Sequence, residues 1–148
     1  MPVLADYTEL RMFLRDEPAA TVAVPIDRND TIHAASLLYA HTEMPLRFYF
    51  VTSIDSEKCS LLNSVKSISC ACVIGTAKGT AFTLQMRGSL RTVDHTQFAD
   101  LIEGYYAKRG NRADDINDSQ NILLQFTPEW ARFTDYAKGY DHQYLKLQ

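Results

Sequence analysis

Ser56 and Lys58, a hydroxyl and an amine, follow the most aromatic stretch of the chain. The residues before them, 46–53, alternate in the way typical of a β-strand with two distinct faces. Asp55 and Ser56 are residue types that begin helices, so a helix is predicted to start near Ser56 and to run to about residue 65. Backbone N–H groups, hydroxyls and an ammonium group at such a helix start would bind an anion. The alternative is that Asp55 or Ser56 only caps the helix and that Lys58 is solvated.

Strands joined by turns are predicted to surround this site. Period-two alternation predicts strands at 20–26, 31–39, 46–53, 68–74 and 81–93. Pro25 indicates that the first of them is an edge strand or contains a bulge. Polar and glycine-rich segments predict a turn at 27–30, a second connection at 41–45 and a hairpin loop at 75–79.

Helical spacing of apolar residues appears in two places. The first predicted helix begins at Asp6 or Thr8 and ends before Pro18. The second begins at Asp94 or Thr96 and ends before residue 110, and the polar segment 109–119 after it is predicted to be an exposed loop with a helical turn. Both helices are expected to lie beside the strands.

The long strand 81–93 has an apolar face and a polar face. Gln85 and Arg87 belong to the polar face, which meets solvent, a ligand or a partner chain. Gly88 indicates a bulge or a close approach of two backbones. The end of the chain is predicted to form a strand at 122–126, a turn at 127–129, a strand at 130–136 and a tail that docks as a final strand.

The composition is that of an ordinary globular protein. The 148 residues are 46% hydrophobic and 22% charged, so one domain over residues 1–148 is expected. The formal net charge of -3 gives no reason to expect binding to nucleic acid or to an anionic membrane. Neither a signal peptide nor a transmembrane run is found, and a cytoplasmic location is therefore expected.

Three cysteines, an odd number, argue against a secreted disulfide framework. Cys70 and Cys72 lie two apart in a predicted strand, so both are expected on one face as core thiols. The four histidines show no spacing typical of metal ligands, and no metal site is predicted.

Six to eight strands, with two or three helices between groups of strands, predict a mainly β fold. A closed or split antiparallel barrel with peripheral helices fits this order. A parallel doubly wound sheet does not, because strands mostly follow strands and no glycine-rich fingerprint follows the first one.

Five segments share one order: HAASLLY, LRFYFVTSIDSEKCSLL, CACVIGT, FTLQMRGSLRTV and FTPEWARFTDY. In this order and spacing they resemble the FMN-binding split barrels related to pyridoxamine 5'-phosphate oxidase, in particular the small bacterial general-stress and YhbP-like proteins. The resemblance extends from residue 21 to about residue 140 and implies a Greek-key-type antiparallel barrel. It also implies a homodimer with FMN in a groove between the subunits.

The resemblance further implies which residues bind FMN. They are His33, Ala34, Ala35 and Ser36 beside the flavin ring; Phe50, Val51 and Thr52 along the ring and ribityl chain; Ser56 and Lys58 at the phosphate; Gln85 and Arg87 from the partner chain; and Trp130 over the site.

One departure concerns the phosphate position, where Ser56-Glu57-Lys58 stands in place of the Ser-Arg-Lys of the oxidases. A carboxylate that faced the phosphate would weaken FMN binding, and Asp55 adds a second one nearby. The C-terminal extension with the oxidase's substrate-binding residues is also missing, so synthesis of vitamin B6 is not expected.

Two functions remain open. One is a flavin-dependent oxidoreductase of unknown substrate, in which His33 is the candidate for handling a proton near the ring. The other is a non-catalytic module that binds flavin, haem, a deazaflavin or a partner protein.

Overall fold

The computed structural model describes residues 2–76, 81–109 and 115–147, with only the backbone of Arg109. Its eight strands belong to one antiparallel sheet. The strands are β1 (Ala19–Pro25), β2 (Ile32–Leu38), β3 (Ala40–Glu43), β4 (Leu46–Ser53), β5 (Ile68–Ile74), β6 (Phe82–Val93), β7 (Asn121–Asp135) and β8 (Asp141–Tyr144). The helices are α1 (Thr8–Asp16) and α2 (Ala99–Arg109), with 3-10 turns at Glu57–Cys59 and His95–Phe98.

The strand order is β2-β1-β5-β6-β7-β4-β3, and β8 also pairs with β7. One edge of β7 is divided between two partners, because residues 121–126 pair with β4 and residues 132–135 pair with β8. The sheet curls until β2 contacts β4 without pairing with it. The predicted mainly β, split-barrel fold is confirmed.

The barrel core contains alternate residues of the strands. Leu84 and Met86 of β6 and Phe48 and Phe50 of β4 are at most 2% exposed, as their alternation predicts. Helix α1 closes one end by burying the face that includes Leu14. The residue before its first turn is Tyr7, without a side-chain capping bond, so the predicted cap at Asp6 or Thr8 is wrong, although the Thr8 N–H does donate to the Asp6 carboxylate.

A second core lies outside the barrel, where α2 packs against β3 and side chains from the outer face of β4. It contains Tyr49 and Val51 of β4 and Ile102 and Tyr105 of α2. Strand β4 is therefore buried on both faces. Its alternate residues belong to the barrel core and to this second core. Lys108 joins the helices, because its Nζ donates to the Leu14 carbonyl at 3.0 Å.

Three sequence predictions about strands are wrong. Strand β1 is not an edge strand, because it lies between β2 and β5; Pro25 is tolerated since β5 pairs only with residues 20–23. The predicted connection at 41–45 contains β3, which forms a hairpin with β4. The predicted turn at 127–129 lies inside β7, where Pro128 is opposite Gly88 and the register shifts.

Other predictions are confirmed or lie partly outside the described residues. The bulge at Gly88, the turn at 27–30 and the final strand β8 are present. The predicted hairpin loop at 75–79 and the loop at 109–119 fall largely on residues 77–80 and 110–114, which lie outside the described residues.

Cys70 and Cys72 are free, buried thiols on the core face of β5, as predicted. Burial raises the pKa of Cys70 to about 12 and also raises the pKa of Cys72. Across residues 2–76, 81–109 and 115–147, neither helix has the length and apolar character needed to cross a membrane.

Candidate functional site

The chain turns sharply where β4 ends, in a segment that we call the β4 corner (residues 53–59). The Ser56 N–H donates to the Ser53 carbonyl at 3.1 Å, and the Cys59 N–H donates to the Ser56 carbonyl at 3.0 Å. Cys59 is fully buried, and its thiol accepts a hydrogen bond from the Ser56 hydroxyl at 3.3 Å. The buried Cys59 side chain therefore anchors the corner in the barrel core.

The predicted helix from residue 56 to about 65 is wrong, because only the 3-10 turn Glu57–Cys59 forms, followed by further turns. Ser60, Asn63 and Ser64 are poor helix formers. The Ser64 hydroxyl instead bonds to the Leu61 carbonyl at 3.0 Å. Ser56 precedes the turn without a side-chain capping bond, so neither the helix-start site nor the capping alternative describes this segment.

Lys58 is the cation of the β4 corner. The residue is 8% exposed, so most of its side chain packs against the protein instead of being solvated. Its Nζ is not among the buried side-chain atoms that lack a partner in the described residues, so the ammonium group itself remains accessible. Within the described part of the chain, no carboxylate pairs with it. Asp55 and Glu57 are both exposed, on either side of the half-buried Ser56. The acidic neighbours therefore face solvent, while the stem of Lys58 is covered.

The hydroxyl of Thr52, the last residue before the β4 corner, lies beside the corner. Thr52 is 6% exposed, and its Oγ1 lies 3.5 Å from the Ser56 Oγ. Phe50 and Val51, the other predicted ligands on β4, lie elsewhere: Phe50 is in the barrel core and Val51 is under α2. Thr52 is thus the member of this group whose polar atom reaches the corner.

Strand β2 borders the corner and has one free edge. Among the described strands it pairs only with β1, and it contacts both β4 and the 3-10 turn. The Ile26 N–H donates to the Thr31 carbonyl, which places Ala34 and Ser36 at non-bonded positions of the β1 ladder. Their backbone N–H and C=O groups therefore point to the free edge of β2.

The four predicted residues of β2 do not share a face. Ala35 packs against the barrel core, and His33 has the same orientation because it lies opposite the buried Val24. Ala34 and Ser36 are exposed on the outer face of the sheet. Because successive side chains alternate across a strand, the four side chains cannot all meet one ligand.

A second cluster of polar side chains lies on the outer face of β6 and β7. The Arg87 guanidinium carbon lies 4.1 Å from the centre of the Trp130 ring, and that of Arg132 lies 5.6 Å from it. Arg132 also donates to the side-chain oxygen of Gln85. The buried Nε of Arg132 has no hydrogen-bond partner. We call these four residues the arginine–tryptophan cluster.

Sequence analysis missed Arg132 as a site residue. The available signal was its position two residues after Trp130, on the same predicted face of the strand.

The β4 corner and the arginine–tryptophan cluster are well separated within one chain. Ser53 of the corner lies opposite Asn121 of β7, and Trp130 follows Asn121 by nine residues on the same strand. At about 3.3 Å per residue, Trp130 lies about 30 Å along β7 from the corner. The structure therefore brings Thr52, Ser56 and Lys58 together beside β2, but it does not bring Gln85, Arg87 or Trp130 to them.

Comparisons with known proteins agree with this architecture. A solved protein related to general stress protein 26, of the pyridoxinephosphate oxidase family, from Clostridium acetobutylicum matches with a TM-score of 0.65. The match covers 93% of this chain and 92% of that one at 15% sequence identity. The chain has the split-barrel fold of the pyridoxamine 5'-phosphate oxidase-like proteins. At sequence level, neither a family model nor a curated protein matches.

Two heme proteins have the same split-barrel fold. HutZ, the heme storage protein of Vibrio cholerae, matches with a TM-score of 0.66 at 12% identity, over 87% of this chain and 92% of that one. A heme binding protein of Mycobacterium smegmatis matches with a TM-score of 0.70 at 14% identity. That match covers 94% of this chain and 60% of the other protein.

Proposed function

We propose that this split barrel binds FMN with its phosphate at the β4 corner and works as a flavin-dependent oxidoreductase. The observation that supports the proposal most directly is Lys58, a largely covered lysine without a carboxylate partner among the described residues. A bound dianion would give its ammonium group a partner through charge-assisted hydrogen bonds. Asp55 and Glu57 do not oppose this, because both are exposed.

The polar groups around Lys58 fit a phosphoester. The hydroxyls of Thr52 and Ser56 lie beside one another and can donate to phosphate oxygens. The free edge of β2 offers backbone N–H and C=O groups at Ala34 and Ser36, which suit the alternating acceptors and donors of a flavin ring. When bound, FMN supplies hydride and electron transfer, while the chain supplies binding and orientation.

A homodimer would complete the site. Gln85, Arg87 and Trp130 are too far from the β4 corner of their own chain to meet the same ligand, so a second copy would have to bring them. The outer face between β2 and β6 bears small exposed side chains, including Thr21, Ala34 and Ala71. Small side chains allow a partner's backbone to approach closely, which supports dimer formation through this face.

Haem is the second candidate cofactor, and the similarity to the two heme proteins favours it. In that case the protein would store or bind the cofactor without turnover. The propionates of haem are also anions and would bind Lys58 in the same way. Both candidate cofactors would therefore place an anionic group at the β4 corner, and they differ in the ring system that is bound.

Visible spectroscopy of the purified protein tests both candidates. The protein is incubated with FMN or with haem, passed over a desalting column and scanned. Retention of FMN near one per chain, followed by bleaching with NADPH and recovery in air, is the expected result. Retention of haem with loss of FMN would replace the proposal by the haem-binding one, and retention of neither would contradict both.

A further inference from the structure

A cavity lies at the other end of β4, away from the proposed cofactor site. Its volume is about 470 Å³, and it opens between α1, the turn from β3 to β4, and the chain after β8. Leu46, which lines it, is separated from Ser53 of the β4 corner by the whole length of β4, about 23 Å. No residue of the β4 corner or of the arginine–tryptophan cluster lines this cavity.

We propose that this cavity binds a straight-chain monocarboxylate, with its hydrocarbon tail inside and its carboxylate at the mouth. The floor is apolar, since Leu10, Leu14 and Leu145 line it and are between 1% and 9% exposed. Ligand pockets are typically about 300–1,000 Å³ with mainly apolar walls and a few polar groups, and this cavity matches that description. An apolar floor holds water poorly and favours a hydrocarbon chain.

The charges at the mouth favour an anion. Arg11 pairs with Glu43 at 3.1 Å, and both side chains remain more than 40% exposed. Lys146 also lines the cavity, and in the described ranges it has no ion-pair partner. The lining therefore has two cations and one carboxylate, which leaves one positive charge for the head group of a ligand.

The walls are held in place without a ligand. The Leu145 N–H donates to the Ala131 carbonyl at 3.0 Å, and the Tyr144 N–H donates to the Pro2 carbonyl at 2.8 Å. On the opposite wall, the Thr42 hydroxyl donates to the Pro45 carbonyl at 2.7 Å. A preformed cavity lowers the entropic cost of binding.

Isothermal titration calorimetry with decanoate, octanoate and decan-1-ol, below their aggregation concentrations, tests the proposal on the full chain. Decanoate is expected to bind saturably at one per chain and about fifteenfold more tightly than octanoate, because each of its two additional buried methylenes contributes roughly a fourfold change in affinity. Decan-1-ol, which has the same tail and no charge, is expected to bind about fivefold more weakly than decanoate. Absence of saturable binding, or equal affinity for the acid and the alcohol, would overturn the proposal.

Two charge variants should change the affinity for decanoate in opposite directions. Lys146→Glu is expected to weaken binding about fivefold, whereas Glu43→Gln, which frees Arg11 from its ion pair, is expected to tighten it. Lys66→Glu, a charge reversal at an exposed lysine that does not line the cavity, is the matched control. If the control weakens binding as much as Lys146→Glu, the head group is not at the mouth and the proposal is wrong. A separate FMN titration with decanoate present should be unchanged, so either proposal can fail alone.

Discussion

A methyl group added to Gly88 would lie 2.0 Å from the backbone carbonyl oxygen of Thr127 on the facing strand. This close approach accompanies the bulge that sets Arg87 opposite Trp130. Gly88→Ala should therefore lower the free energy of unfolding by about 2–3 kcal/mol, because the clash is with backbone and neither strand can yield cheaply. Chemical denaturation followed by circular dichroism measures the change.

Gly104→Ala is the matched control for this prediction. Gly104 lies in α2, and a methyl group there would have no atom within 4 Å. Alanine is the better helix former, so this variant should gain up to about 0.8 kcal/mol. If Gly88→Ala is as stable as the wild type, the two strands are not in contact at the bulge as described.

Trp130 is the only tryptophan of the chain, so its fluorescence reports on the arginine–tryptophan cluster. If a partner chain brings this cluster to the flavin, FMN should quench the emission of Trp130 over the same concentration range in which the flavin spectrum changes. Arg87→Gln should weaken FMN binding about fivefold, because it removes a cation of the cluster whose contribution to binding is about 1 kcal/mol.

Arg91→Gln supplies the comparison for Arg87→Gln. Arg91 lies on the same strand beyond the bulge and donates to the Gln125 side chain at 2.9 Å, away from Trp130. The Arg91→Gln variant should therefore have the same FMN affinity as the wild type. If FMN binds without quenching the fluorescence of Trp130, the cluster lies outside the cofactor site.

The buried thiols of β5 predict a dependence of stability on pH. Burial raises the pKa values of Cys70 and Cys72 above the usual value of 9.0, so the folded state keeps protons that the unfolded state loses. Their contribution is fully present below pH 9 and should decrease as pH rises from about 9 towards 12. Urea denaturation in a reducing buffer at pH 8 and pH 10 measures the decrease.

The double variant Cys70→Ala/Cys72→Ala should lose part of that pH dependence, even though its stability at pH 8 is lower. An identical dependence in wild type and double variant would mean that these thiols are not shielded from water.

The barrel was predictable because the side-chain periodicity that indicates each strand or helix lies within a short segment of the sequence. The alternation in β4 and β6 and the apolar face of α1 each follow from side-chain periodicity, and the resemblance in motif order named the same fold. The errors occurred where tertiary pairing decides the outcome. Pro128 looks like a turn residue in the sequence, but the bulge opposite Gly88 accommodates it inside β7.

The candidate site was predictable only in part. Ser56 and Lys58 were named from their order after a strand, yet the sequence could not show that Lys58 is buried while Glu57 is exposed. The same residue types begin a three-residue 3-10 turn and a longer helix, so the local sequence does not distinguish the two. The burial of Cys59, which depends on long-range packing, favours the short turn. Arg132 was missed although it shares a predicted strand face with Trp130, and its buried Nε without a hydrogen-bond partner is visible only in the folded sheet.

The FMN affinity of Lys58→Met, compared with that of Glu57→Gln, tests the central claim most directly. Fluorescence titration measures both, and denaturation without FMN confirms that each variant folds. Lys58→Met should weaken FMN binding at least tenfold, since a charge-assisted hydrogen bond contributes about 1.5–3 kcal/mol. It should leave the stability of the free protein nearly unchanged, because Met keeps an unbranched apolar stem in the place of the covered lysine stem. Glu57→Gln should change FMN affinity less than twofold, as expected for an exposed side chain. Unchanged FMN affinity in Lys58→Met would contradict the assignment of the phosphate to the β4 corner.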